Sequence, residues 1–430
     1  MLLEKGNNKL LHAWAFYDWA NSVYSLVITS AIFPIFYGVL FELRGVNYIT
    51  VFDYNIKNTA LISFVTAFAF LVVAIISPIL SGIADFAGNK KVFMKFFCYM
   101  GAVSCIGLYW FSLEDIYFSI ACYFFGLIGF WGSLVFYNSY LPDIAHKDQQ
   151  DRISAKGFSL GYIGSVILLL ICLAMVMASE EHAQMQMMRY SFVLVGIWWI
   201  AFSQYSFYYL PKGNKNKTKV SRKIFFNGFR ELQKVSAQLS DNLVLKRYLI
   251  AFFVYSMAVQ TVMLVATYFG EQEIAWGENE KTMGLIVSIL VIQLIAAVGA
   301  SFTSKASEKF GNIPVLIVIN SIWILICVVA YFIYLPIHFY ITAGFVGLVM
   351  GGIQSLSRST YSKLLPKTTD TTSFFSFYDV AEKIGIVIGM ALYGMIDQLT
   401  GSMRNSILFL AIFFILGVWL LFRVFKTKTT

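Results

Sequence analysis

Charged side chains are scarce in this chain of 430 residues, and those that interrupt its apolar runs are the first place to look for chemistry. Five stand out: Asp18, Arg358, Asp379, Glu382 and Lys383, with the amides Asn21, Asn138 and Gln354 as polar neighbours. Ionisable groups inside a bilayer are costly, so they face a cavity or pair with one another. Asp379 and Lys383 are four apart and share a helix face, as do Asp18 and Asn21 at a spacing of three. Three acids and two bases make a mixed set. It suits a zwitterion, with Arg358 taking a carboxylate and Asp18 an ammonium. It equally suits proton coupling, with Asp18, Asp379 or Glu382 taking up and releasing the proton. Structural roles fit the same residues: Asp18 anchoring a helix end, Arg358 snorkelling to the interface or closing a gate against an acid, Asp379–Lys383 as an ion pair joining two halves, and Asn138 as packing glue between helices.

The elements that must hold these groups follow from composition. Hydrophobic residues make up 59% of the chain, aromatics 17% and charged residues 13%. Soluble domains carry about 25% charge, so a soluble enzyme and a disordered chain are excluded. Continuous apolar runs of helical length, without the alternation of a barrel strand, give an all-α polytopic membrane protein. Twelve spans are expected at 10–42, 58–83, 92–112, 116–141, 157–178, 190–210, 248–269, 283–304, 313–334, 338–362, 373–396 and 405–424. The first run is too long for a signal-peptide core and is kept as a span, with Pro34 expected to kink it. Trp14, Tyr17, Trp19 and Tyr24 near its start read as interface anchors.

With the N-terminus inside, Arg44, Lys57, Arg189, Lys281 and Arg404 fall on outer segments, and the bulk of the 32 Lys and Arg fall on or beside inner ones. This positive-inside bias explains the net charge of +9 without a nucleic-acid partner. The termini are expected in the cytoplasm and the protein in the inner (plasma) membrane. The five cysteines lie within spans and form no CxxC pair, and His12, His146, His182 and His338 sit in loops or at helix ends. Neither a metal centre nor an intramembrane histidine relay is expected.

The chain repeats itself. Asp85-x-x-Gly88-Asn89 recurs as Glu308-x-x-Gly311-Asn312, and Tyr137, Leu141 and Pro142 recur as Tyr361, Leu365 and Pro366. Gly157, Gly161 and Ser165 pair with Ala381, Gly385 and Gly389, small-residue stripes that let helices approach closely. Matches at one nearly fixed offset across three segments divide the chain into a six-helix bundle at 1–210, a linker at 211–247 and a second six-helix bundle at 248–430. In the linker, Ile224, Phe225, Phe229, Leu232 and Val235 alternate with Arg222, Lys223, Arg230 and Lys234. This reads as a basic amphipathic helix on the inner leaflet, either a topological connector or a regulatory surface.

The turn Ser81-Gly82-Ile83-Ala84-Asp85-Phe86-Ala87-Gly88-Asn89-Lys90-Lys91 resembles the motif between helices 2 and 3 of the major facilitator superfamily. The segments Trp14–Ser22, Tyr137–Pro142, Gly351–Ser359 and Phe375–Lys383 are similar to the unknown-major-facilitator branch, related to autophagy-type vacuolar amino-acid effluxers. Glu382 stands where that pattern implies a small residue. The resemblance implies two pseudo-symmetric six-helix bundles and a monomeric secondary transporter, with amino acids as the solute class. It implies that Asp85, Gly88, Lys90 and Lys91, with Glu308 and Gly311 in the second half, form a gate on the side of the termini. It also places Asp18, Asn21, Asn138, Gln354 and Arg358 on cavity-lining spans 1, 4 and 10.

The function expected is a secondary carrier of a small polar solute working by alternating access, its partners being the solute, protons and membrane lipids. No P-loop, no HExxH motif and no loop large enough for an enzyme domain is present, so neither an enzyme nor a cofactor is expected. The alternatives are a membrane receptor or scaffold, or a carrier of sugars, nucleosides or peptides.

Overall fold

The computed structural model describes residues 3–51, 53–212, 223–277 and 280–429, apart from the side chains of 59, 223–229, 231, 428 and 429. Long helices dominate, because in hydrocarbon a helix satisfies its own backbone groups. In chain order they are α1 (Asn8–Val23), α2 (Ile32–Leu43), α3 (Asn58–Ala87), α4 (Lys90–Gly107), α5 (Ile116–Asn138), α6 (Leu141–Ile144), α7 (Gln150–Met177), α8 (Glu181–Tyr209), α9 (Lys223–Asp241), α10 (Leu243–Glu273), α11 (Lys281–Phe310), α12 (Asn312–Phe332), α13 (Pro336–Leu364), α14 (Thr371–Thr400) and α15 (Met403–Thr429). Among the described residues, 11 helical segments are long and apolar enough to cross a membrane. The twelfth expected span is α14, whose 30 residues suffice in length but carry Asp379, Glu382 and Lys383.

The helix ends are marked by their own residues. Asn7 accepts from the Lys9 amide (2.9 Å) to start α1, and Asn242 accepts from the Leu245 amide (3.1 Å) to start α10. Gly88 ends α3 in the left-handed conformation (φ 63°), where a side chain would be strained.

Three local features differ from the sequence reading. Between α1 and α2 the first span widens into a π-helix at Tyr24–Ala31, directly before the helix that carries Pro34. Proline supplies no N–H and crowds the carbonyl four residues earlier, here that of Ser30, so its disturbance falls on the preceding turns. The loop after α2 contains a hairpin, β1 (Tyr48–Val51) paired antiparallel with β2 (Tyr54–Lys57). Trp14, Tyr17 and Tyr24 are not interface anchors: all three are fully buried, and Trp14 stacks on Tyr137 at 4.6 Å. Their hydrophobic area is spent on packing the first span against its neighbours.

The apolar core falls into two clusters. One runs from Leu10 to Leu210; the other runs from Val235 to Val424 and takes in Tyr162 of α7. The internal repeat appears as matched helix packing. Gly161 lies against Asp18 and Ser22, and Gly164 against Trp19, seating α7 on α1. Gly385 and Gly389 lie against Met257 and Thr261, seating α14 on α10. Apolar residues on the outside, such as Phe64, Phe68, Leu71 and Ile75 at helical spacing along α3, are exposed as lipid-facing surface requires. The two groups of helices meet where α7 packs on α11 and α13, and where α14 packs on α3 and α5. Of the linker, α9 is seen; Val235 is buried, Leu232 half-buried and Arg230 exposed, while Arg222 and the side chains of Lys223, Ile224, Phe225 and Phe229 lie outside the described residues.

Candidate functional site

One fully buried charge pair bridges the two groups of helices. Arg358 comes from α13 and Asp18 from α1, and their side chains are 3% and 6% exposed. Arg358 uses every face of its guanidinium. Nε donates to Ser154 Oγ (3.0 Å), Nη1 to Asn138 Oδ1 (3.2 Å) and Asp18 Oδ2 (3.3 Å), and Nη2 to Asp18 Oδ2 (3.2 Å) and the Ser154 carbonyl (3.0 Å). Three rings close over it: Phe158 at 4.2 Å, Trp14 at 4.8 Å and Tyr137 at 5.4 Å. The Tyr137 hydroxyl also donates to Asp18 Oδ2 (2.8 Å).

Helix geometry assembles this socket. Trp14 and Asp18 stand four apart on α1, and Ser154 and Phe158 four apart on α7, so each pair points the same way. Gly157 between them leaves the space that the ion pair fills: a Cβ there would collide with Asp18 Oδ2 and lie 3.1 Å from Arg358 Nη2 and 3.2 Å from the Tyr137 hydroxyl. On the other side, α13 is fixed by α10. Tyr248 donates to the Ser357 carbonyl (2.9 Å), and the Tyr255 and Ser357 hydroxyls bond at 2.7 Å. Arg358 is therefore presented by a rigid helix into a site built entirely from α1, α5 and α7.

Gln354, one turn from Arg358, accepts from the Tyr162 hydroxyl of α7 (2.5 Å). Asn21 is buried, and its Nδ2 has no hydrogen-bond partner among the described residues.

A second cluster is separate from the first. On α14, Lys383 donates to Asp379 Oδ1 (2.6 Å) and Glu382 Oε2 (2.9 Å), and lies 3.8 Å from the ring of Trp131 on α5. Gln260 of α10 donates to Glu382 (2.7 Å). Asp379 Oδ2 is buried with no partner among the described residues. The pair expected to join two halves is thus within one helix; the reach across is made by the lysine onto Trp131.

The end of the bundle that carries both termini is tied shut by two further contacts. Asp85 accepts from the backbone amides of Thr372 (3.2 Å) and Ser373 (2.6 Å) at the start of α14, where the helix dipole favours an anion. Lys90 donates to the Ser139 carbonyl (2.9 Å) and Thr371 Oγ1 (3.0 Å) and pairs with Asp143. Lys91 stays within its own group of helices, donating to the Leu210 carbonyl (2.6 Å).

The second repeat does not copy the first. Gly311 takes a positive φ of 83° as Gly88 does, but Glu308 is exposed. The contact there runs instead from Asp151 of α7 to Lys363, to Asn312 Nδ2 (2.8 Å) and to Ser307 (3.2 Å). Sequence reasoning missed Asp151 and Lys363 because both look like ordinary loop-side charges. It also missed Ser154 and Phe158, which carry no signal of their own except Gly157 between them.

Comparison with known proteins places this geometry. A family model described as "Vacuole effluxer Atg22 like" matches residues 6–430. The MFS-type transporter YxiO of Bacillus subtilis is 31% identical over 420 residues, covering 95% of this chain and 93% of its own. Autophagy-related protein 22 of Eremothecium gossypii is 26% identical over 303 residues, covering 65% of this chain and 57% of its own. In fold, the chain is similar to the E. coli fucose:proton symporter FucP, with TM-score 0.69 at 14% identity and 97% of each chain covered. It is also similar to the proton:xylose symporter XylE, with TM-score 0.71 at 12% identity and 96% and 95% covered.

Proposed function

The chain belongs to the Atg22-like vacuole effluxer family of major facilitator transporters, and from that premise we propose that it carries a small zwitterionic solute, an amino acid, by alternating access. The observation that carries this reading is the Asp18–Arg358 pair, buried between the two groups of helices with one charge on each. Opening the end that holds the termini must pull Arg358 out of its socket. Two desolvated charges of opposite sign then lose each other. Separating such a pair without replacement costs about 3–5 kcal/mol. A zwitterion replaces both partners, its carboxylate on Arg358 and its ammonium on Asp18, with the free amide of Asn21 and the side chains of Asn138 and Gln354 as neutral contacts. The empty carrier stays latched, and the loaded one turns.

The bodies that rock are residues 1–210 and 248–430, joined by the linker at 211–247. Asp85 on the α14 N-terminus, with Lys90 beside it and Gly88 shaping the turn, latches them in this state, and breaks as that end opens. The cluster of Asp379, Glu382 and Lys383 holds two acids against one base. The surplus acid of this cluster is the group through which proton binding couples transport to the proton gradient. The basic bias of the loops beside the termini orients that end to the cytoplasm of the inner (plasma) membrane. The carrier works as a monomer among membrane lipids.

The test is counterflow in proteoliposomes, with panels of amino acids, sugars, nucleosides and peptides at two pH values. Accumulation of a labelled amino acid, faster on the acid side, supports the reading. Selective movement of a sugar, nucleoside or peptide overturns the solute class; no movement of any solute by folded protein that binds a partner favours a receptor or scaffold.

A further inference from the structure

We propose that Arg358 is a tethered stand-in for the solute's cationic group, and that the socket on α1, α5 and α7 is the cation-recognition site of the carrier, built for a guanidinium or primary ammonium. The proposal deepens the zwitterion reading and rests on the same alternating-access cycle.

Every group that touches the Arg358 guanidinium belongs to the first group of helices: Asp18 Oδ2, Asn138 Oδ1, Ser154 Oγ, the Ser154 carbonyl and the rings of Trp14, Tyr137 and Phe158. Four oxygen acceptors and three ring faces form a cation cage in which α13 supplies none of these contacting groups. Its carboxylate is oriented by the Tyr137 hydroxyl, itself within the same helices. In this state the Ser154 hydroxyl donates to the Ser355 carbonyl of α13 at 2.7 Å and so turns its lone pair toward Arg358 Nε; once α13 leaves, that hydroxyl is free to reorient, while the Ser154 carbonyl remains an acceptor.

When the two bodies part, Arg358 leaves with α13 and the cage stays behind, holding a desolvated carboxylate with no counter-charge. A buried carboxylate that loses its partner demands another cation. The occupant with the same chemistry is a solute ammonium or guanidinium, which the three rings also favour over a neutral group. An anion is repelled by the Asp18 carboxylate, and a neutral hydroxyl donor leaves that carboxylate without a counter-charge. Selection of the cation and release of the latch are then one event, because the solute completes the cage that Arg358 has vacated. In the latched state a free cation competes with a group held at high effective concentration by its own backbone, so the cage admits nothing until that end opens.

The experiment empties the cage chemically. Full-length Arg358→Ala, purified in detergent, is heated in the presence of methylguanidinium or ethylammonium, with urea and sodium chloride as the neutral and ionic controls. The expected result is a saturable rise in melting temperature of roughly 2 °C or more with either cation, no rise with urea or salt, and loss of the effect in Asp18→Asn/Arg358→Ala. Wild-type protein should need at least tenfold more probe for the same shift. Equal responses to urea or salt, an undiminished response in the double variant, or no response at all would overturn the proposal. If Arg358→Ala does not purify as a single species, extraction is repeated with methylguanidinium present, and on Arg358→Met, whose unbranched side chain fills the space among the rings. Recovery with the cation supports the cage; recovery that is indifferent to it, or none for either variant, counts against it. Amino-acid counterflow by the wild type separates the two readings. A responsive cage without counterflow discards the zwitterion solute alone, and counterflow without a cation response discards the cage alone.

Discussion

Asp18→Asn should loosen the terminal end of the bundle without changing its shape. The substitution keeps the size of the side chain and one oxygen acceptor, so the hydrogen bonds from Arg358 Nη1 and Nη2 retain a partner, as do those to Asn138 and Ser154. What disappears is the charge. Two unit charges about 4 Å apart interact by about 4 kcal/mol at an effective dielectric of ~20. Because the pair is 3% and 6% exposed, little of this is screened by water. The open state loses none of this attraction, since the two charges are already apart there. Allowing for the retained acceptors and the three rings, the latched state should weaken by about 3 kcal/mol, which is roughly 150-fold in the equilibrium. A wild type with about 1% of molecules open at this end would become mostly open. Spin labels at Asp148→Cys, in the exposed turn before α7, and Lys367→Cys, in the exposed turn after α13, report the separation. The native cysteines are all buried and free. Electron–electron resonance should show one short distance for the wild type and a dominant longer one for Asp18→Asn. An unchanged distribution would refute the claim that this pair holds the two groups of helices together.

Other perturbations probe the same account. Gly157→Ala places a methyl against Asp18 Oδ2 with no change of charge, and should open the same end by the cost of overpacking, about 1–3 kcal/mol, read by the same labels. Asp85→Asn removes an anion from the α14 N-terminus; it should shift the equilibrium in the same direction by less than Asp18→Asn, about 1–2 kcal/mol. Lys383→Met leaves Asp379 and Glu382 without a counter-charge and should destabilise the protein by about 3–5 kcal/mol, with recovery in Asp379→Asn/Lys383→Met; thermal melts of the two variants side by side decide it.

The spans and the repeat were legible because membrane helices are written in continuous apolar runs and close packing is written in glycine. Gly157, Gly161, Gly385 and Gly389 do seat equivalent helices in the two halves. The charged residues were legible by type alone, since a carboxylate or guanidinium in an apolar run stands out. Their pairing was not: Asp18 and Arg358 are 340 positions apart, and no local pattern links them. Asp379 and Lys383 could be paired in advance because the helix itself brings them together. Ser154 and Phe158 were invisible, since their role depends on α7 facing α13. Asp151 and Lys363 blended into the charge of the helix ends. Glu308, placed in the gate by analogy with Asp85, is exposed because the repeat conserves the turn and not its partner. The hairpin at Tyr48–Lys57 is two short β-rich runs, a weaker signal than the long apolar runs on either side of it.

The most direct test of the central claim is labelled amino-acid counterflow in liposomes containing purified wild-type, Asp18→Asn or Arg358→Gln protein. Saturable accumulation by the wild type, and none above empty liposomes for either variant, is what the account predicts. Undiminished accumulation by both variants would contradict it, because the two charges would then have no part in moving the solute.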